Sequence, residues 1–232
     1  MSAKIVVSYD GTANEDDAIA LGRLFGRAGA EVSLAYVRHA HEADAGRESA
    51  VEAQAHGLLE NGQELLGDSN ARLHVITDRS TPEGLRTLAA REGTDVIVFC
   101  SDSHTARGHV SVGNSAERLL EGGSTAIAIA SVDVAEQVDG DHVKNIVAVS
   151  DADGGARETA EALAGALGAQ IAPVANADTD LLVIDSRAET QPGRVSLSSS
   201  ASHLIETATC PVLVLPRGVK LVFAPAPVGA AA

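Results

Sequence analysis

The sequence predicts an α/β protein made of two tandem copies of one open parallel-sheet unit, the first complete and the second shortened. Three observations predict it. Short apolar runs rich in β-branched residues alternate with stretches of helical apolar spacing. Residues 179–215 repeat residues 94–130 without a gap, with twelve of 37 positions identical. The core must also be aliphatic, because aromatic residues make up only 2% of the chain while hydrophobic residues make up 45%. Ala, Val, Leu and Ile suit helices packed closely on a buried parallel sheet.

Taken in order, Lys4–Tyr9 (KIVVSY) reads as a first buried strand, broken by Asp10-Gly11-Thr12. Asn14–Arg27 places Ala18, Leu21, Leu24 and Phe25 at helical spacing, and Gly29-Ala30 ends that helix before the strand Glu31–Val37. Residues 41–67 read as a second amphipathic helix and Ala71–Ile76 as a third strand. Ser80, Thr81, Pro82 and Glu83 form a capped helix start with Pro in the first turn. That helix runs to Arg91 and leads into a fourth strand, Thr94–Cys100. A loop, a helix near Asn114–Glu121 and a fifth strand, Ala126–Ala130, complete the unit.

The second copy begins at Ile146-Val147…Asp151, 141 residues after Ile5-Val6…Asp10. Gly168-Ala169-Gln170-Ile171 follows Gly29-Ala30-Glu31-Val32 by 139, whereas the 94–130 window maps onto 179–215 with a shift of 85. The fall from 139 to 85 removes 54 residues, which correspond to a helix, a strand and a further helix. Only Ala175–Asp180 then joins QIAPV to LLVID. Six residues span at most about 20 Å, and a parallel crossover ordinarily takes about a dozen residues or more. Gln170–Val174 is therefore expected as an edge or irregular segment rather than a second parallel strand. The expected organisation is a complete domain at 1–131, an acidic linker at 132–142, a truncated domain at 143–216 and a C-terminal strand or tail at 217–232. In that last part Val219–Phe223 (VKLVF) reads as an extra edge strand.

Charge narrows the function classes. Seventeen Lys and Arg face 32 Asp and Glu, a net charge of −15, which repels phosphate backbones and anionic headgroups. Without Trp and with few other aromatics, stacking platforms for single-stranded bases are lacking. A nucleic-acid or membrane-surface role is not expected. Cys100 and Cys210 are too few and too far apart for a disulfide framework or a Cys-rich zinc site. No apolar run approaches the roughly 20 residues of a membrane span, and MSAKIVVSYD lacks a signal-peptide layout. A soluble cytoplasmic protein is expected.

The segments Ile5–Thr12 (IVVSYDGT), Gly29–Val37, Asp95–His104 (DVIVFCSDSH), Gly113–Leu119 (GNSAERL) and Thr209–Pro216 (TCPVLVLP) resemble the universal stress protein family in tandem form. The resemblance implies a five-stranded parallel sheet of order 3-2-1-4-5 in the complete copy. It also implies that two such units pair through their last strands, so that a tandem chain forms its own pseudo-dimer and a homodimer is a further possibility. Many members bind ATP through Gly-x-x-Gly, nine residues, then Gly-[Ser/Thr]. The crevice lies at the carboxyl ends of the strands where their order reverses, and glycines there let amides approach phosphate oxygens. The first copy reads Cys100-Ser101-Asp102-Ser103, nine residues, then Gly113-Asn114, so both leading glycines are replaced and the hydroxyl residue is Asn. The second copy reads Asp185-x-x-Ala188, then Ser198-Ser199, and keeps no motif glycine.

Carried over onto this sequence, the nucleotide-contact candidates are Ser8, Asp10, Val37, Cys100, Ser103, Gly113, Asn114 and Ser115. The implied ligand is ATP or AMP with Mg²⁺. Asp10 would contact the adenosine moiety, Val37 would line the adenine, and Arg107 or His109 could supply charge to a phosphate. Each candidate also has a plain structural reading. Asp10 and its counterpart Asp151 are ordinary turn or cap residues, and Ser196–Ser202 is a helix start with spare hydroxyls. His104 and His109 are loop polars over the crevice. His39, His41, Glu42 and Asp44 form a loose candidate metal group with no second cluster at ligand spacing. Cys100 and Cys210 read as small buried apolar residues. No nucleophile, base and orienting acid fall at motif spacing, and Gly-x-Ser-x-Gly and Walker loops are absent from the sequence. The expectation is a non-enzymatic stress-response protein with a regulatory nucleotide. The alternatives are a nucleotide-free dimerisation or scaffold module and, more weakly, a nucleotide hydrolase.

Overall fold

The structure is a computed structural model describing residues 2–12, 14–39, 45–135, 143–150 and 153–224. Among these, nine strands form one continuous sheet. The first half contributes β1 (Lys4–Ser8), α1 (Glu15–Arg27), β2 (Glu31–His39), α2 (Ala45–Leu66), β3 (Arg72–Asp78), α3 (Thr81–Glu92), β4 (Val96–Phe99), α4 (Asn114–Leu120) and β5 (Ala126–Ile129). The second contributes β6 (Asn145–Val149), α5 (Gly155–Leu167), β7 (Gln170–Ala172), β8 (Leu181–Asp185), α6 (Ser199–Glu206) and β9 (Val212–Leu215).

The strand order is β3-β2-β1-β4-β5-β9-β8-β6-β7. The first five strands follow the expected 3-2-1-4-5 order, and the remaining four mirror it with the β3 equivalent missing. Every neighbouring pair is parallel except β5–β9, which is antiparallel and pairs Ile127 with Val214, Ala128 with Leu213 and Ile129 with Val212. The halves thus pair through their last strands about a pseudo-two-fold axis. All four residues of β4, β5 and β9 are buried, as the apolar runs require when both sheet faces are covered.

Two apolar layers sandwich the sheet. One holds α1, α2 and α5 against Ile5, Val7, Leu34, Val98 and Val183. The other holds α3, α4 and α6 against Val6, Ile97, Ile127, Ile184 and Val214. Local signals read from the sequence hold where they can be checked. Ser80 caps α3 by accepting the Glu83 amide at 3.4 Å, Pro82 lies in the first turn, and Gly93 ends the helix with φ 66°.

Three segments differ from expectation. Gln170–Ala172 takes the edge position expected of it but is a regular parallel strand, pairing Asn145 with Gln170 and Val147 with Ala172. Being only three residues long, it leaves the chain roughly 10 Å to recover. A turn closed by the Asn176 amide on Thr179 Oγ1 (2.9 Å) brings Asp180 back to the Asn145 carbonyl (2.9 Å). The start of the expected linker is also packed: Val134 is buried, and Asp17 accepts the amides of Asp133 (2.9 Å) and Ala135 (2.8 Å). The rest of that segment, 136–142, lies outside the described residues.

The third difference is the C-terminal segment, because Val219–Phe223 does not form an edge strand. The sheet edges are β3 and β7, whereas this segment crosses the helical layer between the two halves. Leu221 donates its amide to Thr159 Oγ1 on α5 (3.0 Å), and Ala3 donates to the Val222 carbonyl (3.1 Å). Phe223 stacks on Phe25 of α1 with ring centroids 5.9 Å apart. Leu221 and Phe223 point inward while Val222 is 53% exposed, so the period-two pattern is that of a strap over an apolar seam. Residues 225–232 lie outside the described residues.

Candidate functional site

A cleft of about 370 Å³ opens at the carboxyl ends of β1 and β4, where the strand order reverses. Ser8, Asp10, Thr12 and Glu15 line it from the β1 side, Cys100–Ser103 from β4, Gly113–Ala116 from the start of α4, and Thr81 from α3. Seven of the eight sequence candidates therefore meet in one place: Ser8, Asp10, Cys100, Ser103, Gly113, Asn114 and Ser115.

Val37 does not join them. It is 7% exposed in the layer under α3, and its Cγ1 lies 2.8 Å from where a Cβ on Gly84 would sit. The β2 end is held against that helix, and Thr81 faces the cleft instead. Thr81 was legible only as part of a helix start.

Glu15 was absent from the sequence candidates and controls the floor of the cleft. It is the first residue of α1, only 5% exposed, and its Oε2 accepts the amides of Asp10 and Gly11, the latter at 2.6 Å. Burial first, and then the charge and hydrogen bond of Asp10, push its carboxyl up to about 8. Thr12 donates its amide to Asp10 Oδ1 (3.0 Å), so Asp10 also closes an Asx turn. Asn14 Nδ2 donates to the Asp102 carbonyl (3.2 Å), tying the β1 loop to the β4 loop.

The β4 loop is built from its own polar groups. Ser101 donates to the Ala130 carbonyl (2.6 Å) and accepts the Ser111 amide (3.0 Å). Asp102 accepts the His104 amide (3.0 Å). Burial, followed by the charges of Glu15 and Asp10, pushes the Cys100 thiol up to about 12, and a protonated thiol is a poor nucleophile. Gly113 has an ordinary φ of −71°, and a Cβ there would meet nothing within 4 Å.

The cleft carries the carboxylates of Asp10 and Asp102 and the carboxyl group of Glu15, raised by burial, and its described lining includes no Lys, Arg or His. Arg107 instead pairs with Asp133, while His104 and His109 are exposed outside the lining. Among the described residues no three His, Cys, Asp or Glu side chains come together as metal ligands. His41, Glu42, Asp44 and Asp151 lie outside the described residues.

In the second half the described residues of the equivalent place are arranged differently. Asp185 stands where Cys100 stands in the first half, and Gly155 where Glu15 stands. Asp185 Oδ1 accepts the Ala156 amide (2.7 Å), and its Oδ2 accepts the Ser150 hydroxyl (2.8 Å). A Cβ on Gly155 would lie 2.5 Å from the Val219 carbonyl oxygen and 3.1 Å from Asp185 Oδ1, so only glycine fits. Each half thus buries one carboxyl group on its crevice amides, supplied by the helix in the first half and by the fourth-strand equivalent in the second. Arg217 closes the place from above, bonding Asp153 Oδ2 and the Thr190 carbonyl, both at 2.6 Å. The serine run Ser196–Ser202 is a helix start, with Ser198 accepting the Ala201 amide at 3.1 Å.

The model of the universal stress protein family matches residues 122–216, from the end of α4 through β9. That segment belongs to the universal stress protein family. The universal stress protein fold extends over the rest of the chain as well. A universal stress protein from Archaeoglobus fulgidus is similar with TM-score 0.70 and 14% identity over 94% of this chain and 100% of its own. A putative universal stress protein from Pseudomonas aeruginosa is similar with TM-score 0.62 and 14% identity, over 94% of each chain. No curated protein matches the chain. Among the described residues no helix is long and apolar enough to cross a membrane.

Proposed function

We propose that this chain is a non-enzymatic, cytoplasmic stress-response protein whose first half takes an adenine nucleotide, ATP or AMP, as a regulatory ligand. The observation that carries the reading is the open cleft at the strand-order reversal of the first half. Asp10 supplies a carboxylate for ribose hydroxyls, and Gly113 with Asn114 and Ser115 offers uncrowded backbone opposite it. With carboxylates and no basic side chain in the described lining, phosphates would enter as their magnesium complex, the ion carried mainly by phosphate oxygens. A regulatory rather than catalytic role is supported by a protonated Cys100 thiol and by a Glu15 carboxyl group engaged with two amides.

Isothermal titration of the full chain with ATP and Mg²⁺, and separately with AMP, tests this reading. Micromolar binding is expected, with loss in a Gly113→Val, Asp10→Ala double variant; valine at position 113 has space to project into the cleft without disturbing the fold. Absence of heat and of a thermal shift at about millimolar nucleotide would overturn it. That result would favour the second reading, a nucleotide-free scaffold built on the pseudo-dimer, which the acidic cleft lining already supports.

A further inference from the structure

A second cavity lies away from the nucleotide cleft, on the pseudo-two-fold axis between α4 and α6, and has a volume of about 530 Å³. Its walls are the two copies of one segment. Val110, Ser111 and Val112 face Val195, Ser196 and Leu197, each separated from its counterpart by the repeat shift of 85. Reciprocal hydrogen bonds between the halves fix the frame: the Val110 amide donates to the Ala208 carbonyl (3.2 Å), and the Val195 amide to the Gly123 carbonyl (2.8 Å). The loops behind are pinned alike, with the Ser111 amide on Ser101 Oγ at 3.0 Å and the Ser196 amide on Ser186 Oγ at 3.1 Å. The groove is therefore built before any ligand arrives.

Its chemistry is two-part. Leu120 and Ile205, another repeat pair, form an apolar floor. Glu121 and Glu206, also a repeat pair, stand at the rim with Glu117, and no Lys, Arg or His belongs to the described lining. Of the basic groups nearby, Arg194 donates to the Gly122 carbonyl (3.1 Å), and His203 lies 4.0 Å from Glu206. An apolar floor beneath a rim of three carboxyl groups matches a ligand with an apolar body and a cationic head. We propose that this groove is a binding site for an organic ammonium ion carrying an aliphatic chain. The repeat symmetry gives the head a carboxylate at either end.

The test is a ¹H–¹⁵N NMR titration of the full chain with hexylammonium, using hexanol and hexanoate as matched probes. Saturating shifts centred on Ser111, Gly122 and Ser196 are expected with Kd below about 1 mM. Hexanol is expected to bind at least about tenfold more weakly and hexanoate not at all. A Glu121→Gln, Glu206→Gln variant changes only exposed side chains and keeps their shape. It should weaken hexylammonium about tenfold and leave hexanol unchanged. Equal binding of hexanol, full-strength binding by the double variant, or non-saturating shifts spread over the acidic surface would each overturn the proposal.

Discussion

Glu15→Gln isolates the energetic consequence of burying a carboxyl group under the β1–α1 loop. The amide can still accept from the Asp10 and Gly11 backbone N–H groups but cannot ionise. In the native chain the carboxyl is raised from 4.5 to about 8, whereas the unfolded chain keeps the ordinary value. A group raised in the folded state stabilises the fold fully below the unfolded pKa and loses that contribution as pH climbs through the folded one. With about 1.4 kcal/mol per pKa unit, linkage gives a loss of about 3 kcal/mol between about pH 6 and about pH 9 from this residue. Urea unfolding of both proteins across that range measures it. The native chain should weaken relative to Glu15→Gln, with the difference levelling off above about pH 9. Parallel stability profiles for the two proteins would show that Glu15 is ionised in the fold, and the account of the cleft floor would fail.

Three further outcomes are expected. Gly155→Ala forces a Cβ against the Val219 carbonyl and Asp185, and should cost about 1–3 kcal/mol by urea unfolding; a neutral result would mean that the start of α5 is not tightly packed. Phe223→Ala removes a side chain only 6% exposed that stacks on Phe25, and should destabilise by about 3 kcal/mol, read as a fall in Tm; an unchanged Tm would mean that the strap contributes little. Burial pushes the Cys100 and Cys210 thiols each up to about 12, so both should resist a thiol reagent at neutral pH in the folded chain and react on denaturation. Rapid labelling of either in the folded protein would contradict their placement.

Much of the architecture was legible because its signals are local or periodic. The β-branched runs of β1, β2, β4 and β8, the Ser80–Glu83 cap and the ungapped shift of 85 required no knowledge of neighbours. The crevice was legible as well, since a strand-order reversal brings Asp10 beside Cys100–Ser103 once the sheet order is specified. Glu15 was missed because an acidic residue in a first helical turn normally complements the helix dipole in solvent. Its burial depends on the loop folding back over it. The contrast with the other half appears only in the fold: the helices start at Glu15 and at Gly155, so Glu15 with Cys100 in one half corresponds to Gly155 with Asp185 in the other.

Sequence alone therefore determined the element order, the internal repeat and the aliphatic core, which follow from spacing along one dimension, while the location of the cleft followed from the strand order that the family resemblance implies. The tertiary structure decided which side chain fills which space. It placed Val37 under α3 rather than in the cleft, made a three-residue strand of Gln170–Ala172, and laid Leu221 and Phe223 across the seam between α1 and α5. It also set Asp185 against the start of α5 in the second half, where Cys100 faces the open cleft in the first. Those outcomes depend on steric and electrostatic neighbours that only the folded topology brings within a few ångströms, where close packing admits one occupant and excludes the rest.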